Sequence, residues 1–233
     1  MAKKTTKNKN KTNTNSADFK AQAAQRVKSI FPILKKTYPD AKIALNYLNP
    51  LQLLIATILS AQCTDVRVNI VTEKIFKKYK SAADWANADL KVIETDIKST
   101  GFYHNKALNI NSACKDIIER FGGNVPDNMD DLVSLAGVGR KTANVVLGGA
   151  FGKPAITCDT HVIRLSRRLK LSLNSDPVKL EFDLADIVPM QNWTLFSNLL
   201  IFHGRNICKA RKPDCSICPI AKFCPAANEP SLW

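Results

Sequence analysis

The stretch NMDDLVSLAGVGRKTANVVLGGA, Asn128 to Ala150, decides how this chain is read. Leu132 and Leu135 mark one short amphipathic helix, and Val146, Leu147 and Ala150 mark a second. Between them lies Ala136-Gly137-Val138-Gly139, where two glycines around one small apolar residue let the backbone turn sharply and approach a ligand closely. The second helix starts at once, so its unpaired N–H groups and positive dipole end face out of the turn. That arrangement grips phosphate without reading bases. A G-x-G turn alone is a weak signal, because tight turns between helices often need glycine.

Outward from this stretch the chain reads as helix after helix. Apolar residues Phe19, Ala23, Val27, Ile30, Ile33 and Leu34 recur near helical spacing over residues 18–37. Pro50 suits the first position of a helix, and the LQLLIATILSA that follows is apolar on nearly every side, as in a central core helix. Thr64-Asp65 can cap a further helix to about Tyr79. Shorter helices are expected at 81–87, 89–98, 104–121, 128–135, 140–150, 160–170, 176–188 and 192–207, with glycine and proline between them. Strand-like alternation is scarce, so the expected class is all-α, with a domain seam near Gly152-Lys153-Pro154.

Composition narrows the function. The 233 residues are 45% hydrophobic, enough for real cores, and no apolar run reaches the ~18 residues that span a bilayer. The net charge is +14, of which the lysine-rich segment 1–16, expected to be disordered, holds only five lysines. A basic folded body points to a polyanionic partner, nucleic acid first. Seven cysteines, an odd number, and the lack of an apolar N-terminal signal core argue against a secreted disulfide framework. The expected compartment is the reducing cytoplasm.

Four of those cysteines crowd into Cys208-x6-Cys215-x2-Cys218-x5-Cys224. Four thiolates in one loop make a metal or iron–sulfur site. Zinc modules use two separated pairs, whereas here a single C-x2-C is flanked by lone cysteines. Elsewhere Asp159, just before the helix-like Thr160-His161-Val162 run, reads as an N-cap, and Lys141, in a first helical turn beside Arg140, reads as a phosphate-touching lysine.

The Asn128–Ala150 stretch resembles a helix-hairpin-helix, and its L-A-G-V-G-R-K-T-A-N-V-V is similar to that of the endonuclease III family of DNA glycosylases. Leu59-Ser60-Ala61-Gln62-Cys63-Thr64-Asp65, Cys158-Asp159-Thr160-His161, His203-Gly204-Arg205 and the four-cysteine loop follow in the family's order, so the resemblance covers roughly residues 20–225. It implies two helical domains flanking a DNA groove: residues 40–152 with the hairpin at 128–150, and residues 17–39 with 153–227, carrying the cluster loop 208–224. It implies Lys141 as the nucleophile that attacks the sugar C1′, with Asp159 assisting. Gln62 and Phe102 would fill the space left by an extruded base, and Gly137, Val138, Gly139 and Arg140 would hold the backbone. Cys208, Cys215, Cys218 and Cys224 would ligate a [4Fe–4S] cluster.

The activity implied is that of a bifunctional glycosylase and abasic-site lyase removing oxidised pyrimidines from duplex DNA. The enzyme would act as a monomer, in the cytoplasm on nucleoid DNA, with no membrane partner. Ala136 stands where the family commonly has proline, and Cys158 where it has an aliphatic residue. Two alternatives stay open at this point. One is a relative specific for another lesion or mismatch, though adenine-specific members carry a long extra C-terminal domain and generally lack the lysine at position 141. The other is a metal-stabilised DNA-binding protein without activity.

Overall fold

The computed structural model describes residues 9–227 and 229, with side chains from Ala17 onward, and every regular element among them is helical. The chain divides into two compact units, residues 43–155 in one and the residues before 43 and after 155 in the other. The seam lies slightly beyond the expected one because Lys153 and Ala155 belong to the first unit. Lys153 Nζ sits 2.7 Å from an Asp127 carboxylate oxygen, and Ala155 is buried in that unit's core.

In the unit of residues 43–155, α2 (Pro50–Leu59) is the central helix. Asn49 caps it by accepting from Gln52 N–H, Pro50 occupies its first turn, and Leu53 through Leu59 are all buried. Its five large aliphatic side chains contribute about 2 kcal/mol each on burial. Around it run α3 (Asp65–Lys78), α4 (Ala82–Asn87), α5 (Leu90–Ile97), α6 (Tyr103–Phe121), α7 (Met129–Val133) and α8 (Arg140–Ala150). Buried Trp85 stacks on Tyr79 at 4.2 Å between ring centroids.

The other unit takes α1 (Lys9–Thr37) from one end of the chain, and α9 (Thr160–Arg168), α10 (Pro177–Ile187) and α11 (Trp193–Asn206) from the other. Ala23, Val27, Ile30 and Leu34 line one face of α1 and share a core with Val162, Leu180, Leu184 and Phe196. The basic segment expected to be disordered enters α1 from Lys9, and its residues 1–8 lie outside the described residues. A helix nucleated by its packed turns adds further turns at little cost, which accounts for the difference. Beyond α11 the chain is a string of short 3-10 turns.

Candidate functional site

The turn between α7 and α8 is built as its glycines demand. Gly137 has φ +74°, a conformation that L side chains rarely adopt, and a Cβ there would lie 2.8 Å from Asn109 Cβ. Val138 turns inward and is buried, its N–H donating to Leu135 O at 3.1 Å. Gly139 is the N-cap of α8 and offers no side-chain acceptor to the first-turn N–H groups. That end of α8 is therefore receptive to an anion. Lys141 is exposed in this first turn, and Arg140 beside it is half-buried.

In the same unit, two exposed residues stand in strained backbone. Gln62, after α2, has φ +52°, and Phe102, at the N-terminus of α6, has φ +50°. Phe102 is 61% exposed, so it is no core aromatic. Among the described residues these are the unit's two non-glycine residues at positive φ, each at a cost of about 1–2 kcal/mol. Strain of this kind persists only where the surrounding structure over-determines it.

Asp159 and the four cysteines belong to the other unit, so Lys141 and Asp159 come from different units. Asp159 is half-buried and caps α9, one carboxylate oxygen accepting from Val162 N–H at 2.8 Å. One turn on, Arg164 ties this helix to the segment after α11. Its guanidinium meets His161 Nδ1 at 3.0 Å, Gly204 O at 3.0 Å and Cys208 O at 2.9 Å. The glycine of His203-Gly204-Arg205 is required here, because a Cβ would sit 2.8 Å from His161 Nδ1. Burial pulls the His161 pKa down, with Arg164 and Arg205 adding to the effect against Asp159, which raises it.

Cys208, Cys215, Cys218 and Cys224 line one shared cavity floored by Leu165 and Leu169. Burial pushes the Cys218 thiol up to about 11, and the neighbouring cysteines push it the same way. Burial, then neighbouring cysteines, also raise Cys215 and Cys224, so a thiolate cluster here asks for cationic partners. Arg168, buried, donates to Cys208 Sγ at 3.2 Å and to Lys209 O at 2.7 Å. His203 Nε2 lies 3.4 Å from Cys218 Sγ, and its Nδ1 lies 3.0 Å from Tyr38 Oη. Burial holds the His203 pKa down to about 4 and the Tyr38 hydroxyl up to about 12, so both are neutral at ordinary pH. With the hydroxyl donating to Nδ1, the Nε2–H is left for the sulfur.

Among the described residues, no three His, Cys, Asp or Glu side chains are arranged to hold a single ion. Four cysteines lining one cavity are a donor set that fits an iron–sulfur cluster. Lys209, Arg211, Lys212 and Lys222 are exposed in or beside the loop.

Residues 55–190 match the HhH-GPD superfamily of base excision DNA repair proteins. Endonuclease III of Synechocystis sp. is 52% identical over 209 residues, 89% of this chain and 95% of that protein. The chain belongs to the endonuclease III family. Residues 208–224 match the iron–sulfur binding domain of endonuclease III, so the chain carries an iron–sulfur cluster, and its thiols and sulfur-directed donors fit one. Two solved structures, a non-covalent endonuclease III–DNA complex and a trapped endonuclease III–DNA covalent intermediate described as an estranged-adenine complex, share its fold. Their TM-scores are 0.84 and 0.85 at 42% identity, over 89% of this chain and 98% of theirs. The all-α, helix-hairpin-helix architecture is thus the endonuclease III fold. No helix among the described residues is long and apolar enough to cross a membrane.

Sequence reasoning missed Arg168, Tyr38 and the role of His203 against the sulfurs. Arg164 and Arg168, one turn apart on the helix that Asp159 caps, were the available signal.

Proposed function

We propose that this endonuclease III family member is a bifunctional DNA N-glycosylase and abasic-site lyase acting on oxidised pyrimidines in duplex DNA. The lesion is extruded from the stack, and Gln62 and Phe102 occupy the space it leaves. Gly137, Val138, Gly139 and Arg140 hold the backbone, with the first N–H groups of α8 on a phosphate. Lys141, as the free amine, attacks the sugar C1′. The Nζ–C1′ bond forms as the glycosidic bond breaks, and the departing base carries the bond's electron pair and takes up a proton.

Asp159, oriented by its bond to Val162 N–H, stabilises the positive charge that develops on the sugar. The resulting imine acidifies the adjacent carbon, and β-elimination cleaves the strand 3′ to the lesion. Cys208, Cys215, Cys218 and Cys224 ligate a [4Fe–4S] cluster, which fixes the loop bearing Lys209, Arg211, Lys212 and Lys222 against DNA phosphates. The enzyme works as a monomer on nucleoid DNA.

The observation that carries this reading is the exposed Lys141 amine in the first turn of α8, directly after the glycine turn. Lys141→Gln should abolish borohydride-trapped complexes with DNA bearing one oxidised pyrimidine while binding persists. Trapping at the wild-type level in that variant would remove Lys141 as nucleophile.

A further inference from the structure

Lys106, on α6, is the one buried lysine among the described residues. Its Nζ donates to Leu59 O and to Thr100 O, each at 2.8 Å. Both carbonyls end helical segments, Leu59 closing α2 and Thr100 closing the 3-10 turn Lys98–Thr100. Carbonyls at such ends lack an intrahelical donor and carry the negative end of the helix dipole. Burial pulls the Lys106 pKa down, and Cys63 pushes it back up.

A buried cation held by carbonyls is a costly way to fill space, and an apolar side chain of similar shape would avoid its desolvation. The two carbonyls, however, are not arbitrary. The chain runs from Leu59 through Ser60 and Ala61 to Gln62, and from Thr100 through Gly101 to Phe102. One ammonium therefore joins the segments that lead into the unit's two left-handed, exposed side chains. Phe102 is bound in turn to the lysine's own helix, since Lys106 N–H donates to Phe102 O at 3.1 Å.

We propose that Lys106 is the positioning residue for base extrusion, its ammonium clamping the Gln62 and Phe102 turns so that the two side chains enter the duplex as one wedge. The inference rests on Gln62 and Phe102 filling the extrusion space. Without the clamp each turn can relax toward ordinary backbone angles, and the wedge loses its fixed spacing. The lysine is buried and spends its Nζ hydrogen bonds on two protein carbonyls, so the chemistry at C1′ should not need it once the nucleotide is accessible.

The test compares Lys106→Met, Gln62→Ala, Phe102→Ala and the Lys106→Met/Gln62→Ala double variant as iron-loaded full-length proteins. Two substrates are used: a duplex with one oxidised pyrimidine, and a single strand with a preformed abasic site, which has no stack to open. Borohydride trapping is followed on both, with 2-aminopurine fluorescence opposite the lesion reporting unstacking. Lys106→Met should slow duplex excision and the fluorescence rise roughly 10- to 100-fold, as for the loss of charge-assisted hydrogen bonds. Single-strand trapping should stay within about twofold, and the double variant should be no slower than the slower single, because the residues act as a unit.

Equal losses on both substrates would make Lys106 structural only, and multiplying losses in the double variant would make it independent of the wedge. Either result overturns the clamp while leaving the wedge assignment intact. If Gln62→Ala and Phe102→Ala excise from duplex at the wild-type rate, the wedge assignment falls and the clamp with it. Should Lys106→Met not fold, Lys106→Gln, which keeps a donor on a shorter stem, carries the same comparison.

Discussion

Replacing Gly137 with alanine should distort the glycine turn leading into α8, which we propose holds a DNA phosphate, before it unfolds anything else. At φ +74° an L-residue costs about 1–2 kcal/mol more than glycine. The new Cβ would also sit 2.8 Å from Asn109 Cβ, 2.9 Å from its Nδ2 and 3.0 Å from its Cγ, so α6 and the turn must part by some tenths of an ångström. Overpacking of this kind costs about 1–3 kcal/mol, for a combined penalty of about 2–5 kcal/mol. Because Val138 remains anchored in the core, the distortion falls on Ala136 and Gly137 and on Gly139 at the start of α8. Thermal melting and DNA affinity at several salt concentrations measure both consequences. The melting temperature should drop, affinity should weaken, and the slope of log K against log salt should flatten by about 0.9 for each phosphate the protein no longer neutralises. Adding Asn109→Gly removes the clash but not the backbone strain, so it should restore part of the affinity despite its own helix cost of about 0.3 kcal/mol. Wild-type melting and affinity in Gly137→Ala would refute this account of the turn.

Three further outcomes are expected. Asp159→Asn keeps an oxygen for Val162 N–H and should melt close to wild type while losing most turnover, whereas Asp159→Ala should also lose about 1 kcal/mol of stability; near-normal single-turnover rates in Asp159→Asn would leave that residue only its capping role. Anaerobically purified protein should be brown with about four irons per chain, and zinc in place of iron on elemental analysis would contradict the cluster. Burial pushes the Cys114 thiol up to about 12, so mass spectrometry of native protein treated with iodoacetamide should find half-buried Cys63 labelled before Cys114, and the reverse order would contradict the described core.

What the sequence revealed follows from how local each signal is. The hairpin and the cysteine loop each occupy one short stretch, so residue type and spacing were enough to see them. Helix spans expected to begin at Ser81, Asp89, Asn128 and Asp176 begin one residue later, because each of these residues is a cap whose side chain bonds the first turn from outside it. Phe102 was ambiguous since an aromatic after a glycine reads equally well as core, and only its left-handed backbone turns it outward. Lys106 and Arg168 were invisible because their partners lie about 40 or more residues away for Leu59 O and Cys208 Sγ. A lysine inside an amphipathic helix pattern carries no mark that it faces inward.

The unit that holds the cysteines draws its helices from both ends of the polypeptide, with residues 43–155 inserted between them. During synthesis the apolar stripe of α1 emerges before its partners and finds none until the chain beyond residue 155 has followed, a wait of roughly ten seconds at ~5–20 residues per second. The inserted unit, with its own core, is free to fold in that interval. The cysteine loop 208–224 emerges after the inserted unit, so a ribosome that stalls between residues 155 and 208 releases a chain with its glycine turn complete and its metal centre never begun.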